Sequence, residues 1–254
     1  MDKQELLFYN EYEQFYHMAE TSEAFRKFCS DAFGEDLSQD GFSDMAQIER
    51  ILAFIPKGED VHILDVGCGN GKMLRYIQSR TGAYIHGFDY SENAINEAKA
   101  HCGEHADFIC GCMGEVGYEQ EMFHVITSMD TIYFAPDMAE FTEQLMGWLK
   151  EGGVLFVGYQ EGDVMPVTGD AYTTEFARVL TSKGIDFGVE DITKETYEML
   201  KKKRAAALSH EKGFAQEGNS EWFGLLMMQT ECAEASYEEF SKNMARYIYV
   251  VRKK

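Results

Sequence analysis

Apolar residues along the chain follow two rhythms, one helical and one strand-like, and their order outlines the fold. Residues 4–33 carry Phe8, Tyr12, Phe15 and Tyr16 at helical spacing, and Met45, Ile48, Leu52 and Ile55 mark a second amphipathic helix ended by Pro56. The period then changes. Residues 61–66 form a short, mostly apolar run of the kind a strand shows when both its faces are covered. Similar runs recur at 83–88, 107–110, 124–129, 154–159, 185–189 and 247–251. Helical segments separate them. One carries Met73, Leu74 and Ile77, and the next is capped by Ser91 with Ala94, Ile95 and Ala98 on one face. Asp137, with Glu140 three residues later, opens a helix holding Met138, Phe141, Leu145 and Trp148, which Gly152-Gly153 is expected to break. Further helices are predicted at 171–182, at 193–209 ending near Gly213, at 222–228 and at 236–244. Strands alternating with helices at this spacing predict an α/β fold with a doubly wound, mostly parallel, seven-stranded sheet.

The order of elements also predicts the organisation: a single domain over 1–254. Within it, 1–57 forms an N-terminal helical cover, 58–160 a cofactor-binding core, and 161–254 a helical lid with the final strands. Hydrophobic residues at 45% suffice for a real core, and the formal charge of −21 makes nucleic acid and anionic lipid poor partners. No apolar run is long enough to span a membrane and the first residues lack the form of a signal peptide, so a cytoplasmic location is expected. The six cysteines show no secreted-scaffold spacing. His101, Cys102, His105, Cys110 and Cys112 lack paired CxxC arms, and no metal site is expected.

Chemistry concentrates at one turn. Asp65-Val66-Gly67-Cys68-Gly69-Asn70-Gly71 lies directly between a strand and a helix, where glycines let a ligand approach bare backbone and the helix end offers free N–H groups. Eighteen residues past Gly71, Asp89 ends the second strand, where a carboxylate can accept from both hydroxyls of a ribose; the alternative is a simple helix-capping role. A dinucleotide motif wants a third glycine at position 72, which is Lys72.

With their surroundings, these segments resemble a known family. Ile63–Gly71, Gly87–Ile95 and the turn Trp148-Leu149-Lys150-Glu151-Gly152-Gly153-Val154-Leu155 look like successive motifs of the class I S-adenosylmethionine-dependent methyltransferases, of the small-molecule type. Residues 246–253 look like that family's closing strand. The resemblance implies a Rossmann-like sheet and S-adenosyl-L-methionine as cofactor. It places Asp65, Gly67, Cys68, Gly69 and Gly71 around the methionine and ribose portion, Asp89 on the ribose and Tyr90 against the adenine. Cys112 and Met113 stand where the family often has an acidic residue near the adenine amine, and Met129 ends the fourth strand beside the site.

After that strand comes Ser128-Met129-Asp130-Thr131-Ile132-Tyr133-Phe134, without the prolines typical of base- or amide-methylating enzymes. The resemblance implies that these positions overlook the methyl group, which makes Asp130 and Tyr133 candidates for the reaction centre, with Tyr9, Tyr16, Phe42, Gln47 and Tyr133 as candidates for contacts with the acceptor. Aromatic faces on the first helix would attract a cationic amine or the sulfonium, although such rings also serve as ordinary core. The expected activity is methyl transfer to a small-molecule acceptor, through N, O or S, by in-line displacement. A non-catalytic S-adenosylmethionine-binding protein and a nicotinamide-dependent oxidoreductase are the alternatives, and a homodimer is left open.

Overall fold

The computed structural model describes residues 6–38 and 41–254. Positions 4 and 5 of the first predicted helix, and Gln39 and Asp40 of the loop that follows, lie outside the described residues. Seven strands form one sheet: β1 (His62–Val66), β2 (Tyr84–Asp89), β3 (Ala106–Cys110), β4 (Phe123–Met129), β5 (Leu149–Glu161), β6 (Phe187–Asp191) and β7 (Ala245–Arg252). Their order is β3-β2-β1-β4-β5-β7-β6. β1 to β5 run parallel, whereas β7 is antiparallel to both β5 and β6. The winding reverses between β1 and β4. In such sheets the carboxyl ends of the strands at the reversal form the crevice where ligands sit.

Alternate residues of the strands feed two cores. Leu64, Val66, Phe88, Ile126, Leu155 and Val157 pack with α6 (Met138–Trp148) and α7 (Glu175–Ser182). Ile63, Ile85, Val125, Phe156 and Ile248 pack with α3 (Met45–Leu52), α4 (Lys72–Thr81) and α5 (Glu92–His101). Ser91, Asp137 and Ser236 each accept a backbone N–H three residues on, capping α5, α6 and α10 (Tyr237–Asn243) as their spacing predicts.

The helices outside the sheet depart from the expected pattern. The first helical stretch is two helices, α1 (Tyr9–Thr21) and α2 (Glu23–Phe33), because Ser22 leaves the helical conformation and caps α2 through the Phe25 N–H. The helix expected from 171 begins only at Glu175, capped by Thr174. Gly213 does not end α8 (Thr193–Gln216). A Cβ there would stand 3.0 Å from Cβ of Ala24, so the glycine serves the close approach of α8 to α2. The N-terminal helices and the lid consequently form one cap: Phe25, Phe28 and Phe33 share a third core with Leu200, Ala207 and Phe214, joined by Leu226 of α9 (Ser220–Gln229) and by Phe240. No helix among the described residues is long and apolar enough to cross a membrane.

Towards the opposite ends of the strands, three imidazoles lie side by side. The His62 N–H donates to His124 Nδ1 at 3.0 Å, and His62 Nδ1 lies 2.9 Å from His86 Nε2. His86 is buried against Tyr84, Tyr118 and Phe123, with Asp107 at 3.9 Å.

Candidate active site

The turn leaving β1 is held by the sheet itself. The N–H groups of Gly67 and Cys68 both donate to the Phe88 carbonyl, at 2.9 and 3.0 Å, which fixes the turn against the end of β2. Gly67 and Gly69 both have positive φ, +71° and +53°. The outer face of Gly69 lies directly beneath the Tyr16 hydroxyl of α1, and Cγ2 of Thr131 would stand 2.7 Å from a Cβ at Gly67. A side chain at either position would therefore fill the crevice as well as strain the backbone. Asn70, buried, accepts the Lys72 N–H on its carbonyl oxygen and leaves its Nδ2 without a partner.

Asp89 faces this turn. One carboxylate oxygen accepts the Gly69 N–H at 3.0 Å and the other the Ser91 N–H at 2.9 Å, so each retains lone-pair capacity for a hydroxyl. Burial pushes its pKa up to about 6 against these two bonds, which favour the charged form. Asp65, at the end of β1, is more enclosed. Burial raises its pKa to about 8, opposed by the Thr127 hydroxyl that donates to Oδ1 at 2.6 Å, and the Asp89 charge adds to the rise. Two carboxyl groups thus stand close together, and among the described residues no cation offsets the rise in either pKa, an arrangement that would gain from a bound ammonium group.

Aromatic rings roof the crevice. Tyr90 packs against Tyr9 and Tyr12, with ring centroids 5.6 and 6.2 Å apart, and its hydroxyl donates to the Leu7 carbonyl at 3.3 Å. Tyr12 stacks on Tyr16 at 6.3 Å. Burial, followed by the Asp89 charge, raises the Tyr16 pKa well above its ordinary value, so this phenol stays neutral. Cys112 and Met113 follow β3, whose neighbour Gly111 donates to the Asp89 carbonyl at 3.0 Å, and Cys112 is buried on the Tyr90 side. Cys68 is buried under Gly87, and burial raises its thiol pKa, giving it no nucleophilic character.

At the exit of β4 the structure revises one expectation. Asp130, with a φ of +59°, is bound bidentately by Arg246 of β7: Nε donates to Oδ1 at 2.9 Å and Nη2 to Oδ2 at 2.6 Å. With both of its oxygens held by one buried guanidinium, Asp130, a candidate for the reaction centre, fits a positioning role there. Arg246 is fully buried, and its remaining N–H groups reach Ser43 Oγ at 2.8 Å, the Phe42 carbonyl and Gln47 Oε1. Phe42 thus meets this network through its backbone, while Gln47 does so through its side chain. Met129 packs its Sδ and Cε over Gly158, next to Arg246 Nη2.

Tyr133 sits one turn further on, beside Phe134 and Tyr159 at 4.9 and 5.6 Å between centroids. Burial, then Asp130, raises its pKa, which makes it a hydrogen-bond donor at neutral pH rather than a base. It opens onto a groove of about 290 Å³ lined also by Pro136, Asp137, Met138, Met165 and Glu175. Tyr9, Tyr16 and Tyr90 thus gather over the glycine turn, Gln47 with Phe42 and Asp130 surrounds Arg246, and Tyr133 stands apart at the groove.

Four residues carry no assignment in the sequence reading. Arg246 and Gln160 face each other in the β5–β7 register, and an arginine opening an otherwise apolar strand was the available signal. Ser38 accepts from Lys72 Nζ at 2.5 Å while Asp36 pairs with the same ammonium at 3.1 Å, so the residue in the place of the third glycine ties the pre-sheet loop to α4. Among the described residues, no group of His, Cys, Asp and Glu is arranged to hold a metal ion.

Residues 63–153 match a family model described as a methyltransferase domain. Phosphoethanolamine N-methyltransferase 1 of Zea mays is 29% identical over 226 residues, covering 85% of this chain and 42% of that protein. A ubiquinone biosynthesis O-methyltransferase of Parvibaculum lavamentivorans is 32% identical over 102 residues, 39% of this chain and 40% of its own length. This chain thus spans less than half the length of these curated relatives. In solved structures the fold recurs in phosphoethanolamine N-methyltransferase 2 of Haemonchus contortus in complex with S-adenosyl-L-methionine, with a TM-score of 0.73 and 18% identity over 94% of this chain and 60% of that one. The matched segment runs from β1 through the glycine turn and Asp89 to the start of β5, so this part of the chain is similar to a methyltransferase domain and the sheet around it shares the fold of solved methyltransferases.

Proposed function

We propose that the protein binds S-adenosyl-L-methionine in the crevice between the glycine turn and Asp89, and that it transfers the methyl group to a small-molecule acceptor. The observation that carries this reading is the Asp89 carboxylate, held against the Gly69 N–H with lone pairs to spare for a ribose diol. The unpartnered Asn70 amide and the neighbouring carboxyl groups of Asp65 and Asp89 fit a ligand carrying hydroxyls and an ammonium group. The tether from Lys72 to Asp36 and Ser38 occupies the place where a dinucleotide-binding turn has its third glycine, which disfavours a nicotinamide cofactor.

When bound, S-adenosylmethionine supplies an electrophilic methyl on a sulfonium with a good leaving group. What remains for the chain is positioning and the exclusion of water. Asp89 and the turn fix the nucleoside, and Asp65 faces the amino acid end. Tyr90 and Cys112 border the base, and Tyr9 and Tyr16 close the crevice from above. Met129 and the clamped Asp130 set the floor on the acceptor side. Tyr133 orients the acceptor by donating a hydrogen bond; an amine would attack in its neutral form and an oxygen or sulfur acceptor as its anion, the proton in each case passing to solvent. The net charge of −21 favours a small acceptor over a polyanion such as nucleic acid, and all of this lies within the single domain proposed for 1–254. Calorimetric titration with S-adenosylmethionine, S-adenosylhomocysteine and NAD tests the cofactor, and methyl transfer from the labelled cofactor tests catalysis. Tight binding of NAD with none of the other two would overturn the proposal.

A further inference from the structure

We infer that the acceptor is recognised through an uncharged carbonyl oxygen, bound by the side-chain amides of Gln47 and Gln160 beside Arg246. This rests on the methyl-transfer reading and gives that site its substrate class. Arg246 has five N–H donors and all five are used: two on Asp130, and one each on Ser43 Oγ, the Phe42 carbonyl and Gln47 Oε1. Because an arginine only donates, its bond fixes which end of the Gln47 amide is oxygen, and the Nε2 donors must point away from the guanidinium. Gln47 is 2% exposed and its Nε2 has no partner. Gln160, directly opposite Arg246 in the β5–β7 register and 4% exposed, also has an unpartnered Nε2. Two primary amides with unused donors therefore flank one saturated arginine at the carboxyl end of the sheet, next to Asp130 and Met129.

Buried donors without partners are costly and uncommon, and the chemistry that satisfies them is an oxygen acceptor. Charge selects among such oxygens. The Arg246 charge is already balanced by Asp130, so the amides offer dipoles and no net positive charge. A phosphomonoester would bring nearly two negative charges against a guanidinium already paired with Asp130, whereas a carbonyl brings none; the other buried ammonium near Phe42, that of Lys203, donates to Gln229 Oε1. The acceptor this site fits thus differs in class from the phosphorylated amine in the name of the Zea mays relative.

A matched series of two-carbon amines tests this by calorimetry, with S-adenosylhomocysteine present: glycinamide, glycine, ethanolamine and phosphoethanolamine. Glycinamide is expected to bind at least about tenfold more tightly than phosphoethanolamine. Gln47→Glu keeps an oxygen for Arg246 while removing the two donors, and Gln160→Met removes the other amide at similar volume. Each is expected to weaken glycinamide binding about tenfold and to leave S-adenosylhomocysteine affinity unchanged. Tighter binding of phosphoethanolamine, equal binding of the four amines, absence of glycinamide binding, or indifference of glycinamide to both substitutions overturns the inference. Failure of the wild-type protein to bind S-adenosylhomocysteine would instead remove the methyl-transfer reading beneath it.

Discussion

Replacing Arg246 with methionine removes the one cation of a buried pair while roughly preserving its bulk. The Asp130 carboxylate would then stand unpaired in a site where its side chain is only 9% exposed and that of Arg246 is 0% exposed. Removing one partner of such a pair typically costs about 3–5 kcal/mol, since the remaining charge stays desolvated. Ser43 Oγ, the Phe42 carbonyl and Gln47 Oε1 also lose their donor, which places the expectation at the upper end of that range. Asp130→Asn, made alone, strands the guanidinium instead; asparagine tolerates the positive φ at this position, so the backbone adds little. The double variant leaves no buried charge and is expected to recover at least about 2 kcal/mol relative to the sum of the single costs. Urea denaturation of the four proteins, followed by far-UV circular dichroism, measures the cycle. An Arg246→Met cost below about 1 kcal/mol, or a coupling below about 0.5 kcal/mol, would refute the idea that this pair anchors the 42–47 loop to the sheet.

Asp89→Ala removes the carboxylate proposed to accept two ribose hydroxyls and is expected to weaken S-adenosylhomocysteine binding about 30- to 1,000-fold by calorimetry, with the circular dichroism spectrum unchanged; a change under about threefold would displace the ribose from this carboxylate. Gly69→Ala forces a Cβ onto the Tyr16 hydroxyl at a φ of +53°, so cofactor binding should fall and Tyr16→Phe should restore part of it. His86 has a pKa lowered from 6.5 to about 4 by burial and then by His62, with Asp107 opposing. Its unfolded form therefore takes up a proton first, and stability present above pH 6.5 is lost as the pH falls towards about 4, by on the order of 3 kcal/mol. His62 and His124, also lowered by burial and by Lys150, act in the same direction. His86→Phe should flatten this acid limb in denaturation midpoints measured across pH, and an unaltered limb would assign it elsewhere.

The parts legible in the sequence were those encoded by near neighbours. The turn at Gly67–Gly71, the strand before it and Asp89 after the next strand all lie within one βαβ unit, where local spacing maps directly onto geometry. Glycines taken as punctuation were less reliable. Gly213 lies inside a continuous helix because Ala24, far away in sequence, needs the space of a side chain. Strand β5 begins at Leu149, before Gly152-Gly153, because Leu149 pairs with Phe123 across a register shift in β4. The role of Arg246 was invisible for the same reason: its partners Asp130, Ser43 and Gln47 lie 116, 203 and 199 residues away. No periodicity carries such a contact, and Asp130 read by itself looked like a free carboxylate beside the methyl site.

The closeness of Gly213 to Ala24 has a bearing on how the polypeptide matures. The cap over the crevice is assembled from two stretches that flank β1 to β6 in sequence, so neither half can bury Phe28 or Phe214 until the other has arrived. A ribosome that has released everything through β5 would hold the glycine turn and α1, with α2 still lacking its packing partner α8. Deleting α1 and α2 would produce the converse state, with the apolar side of α8 bared to water and each stranded large side chain forfeiting about 1.5–3 kcal/mol of burial.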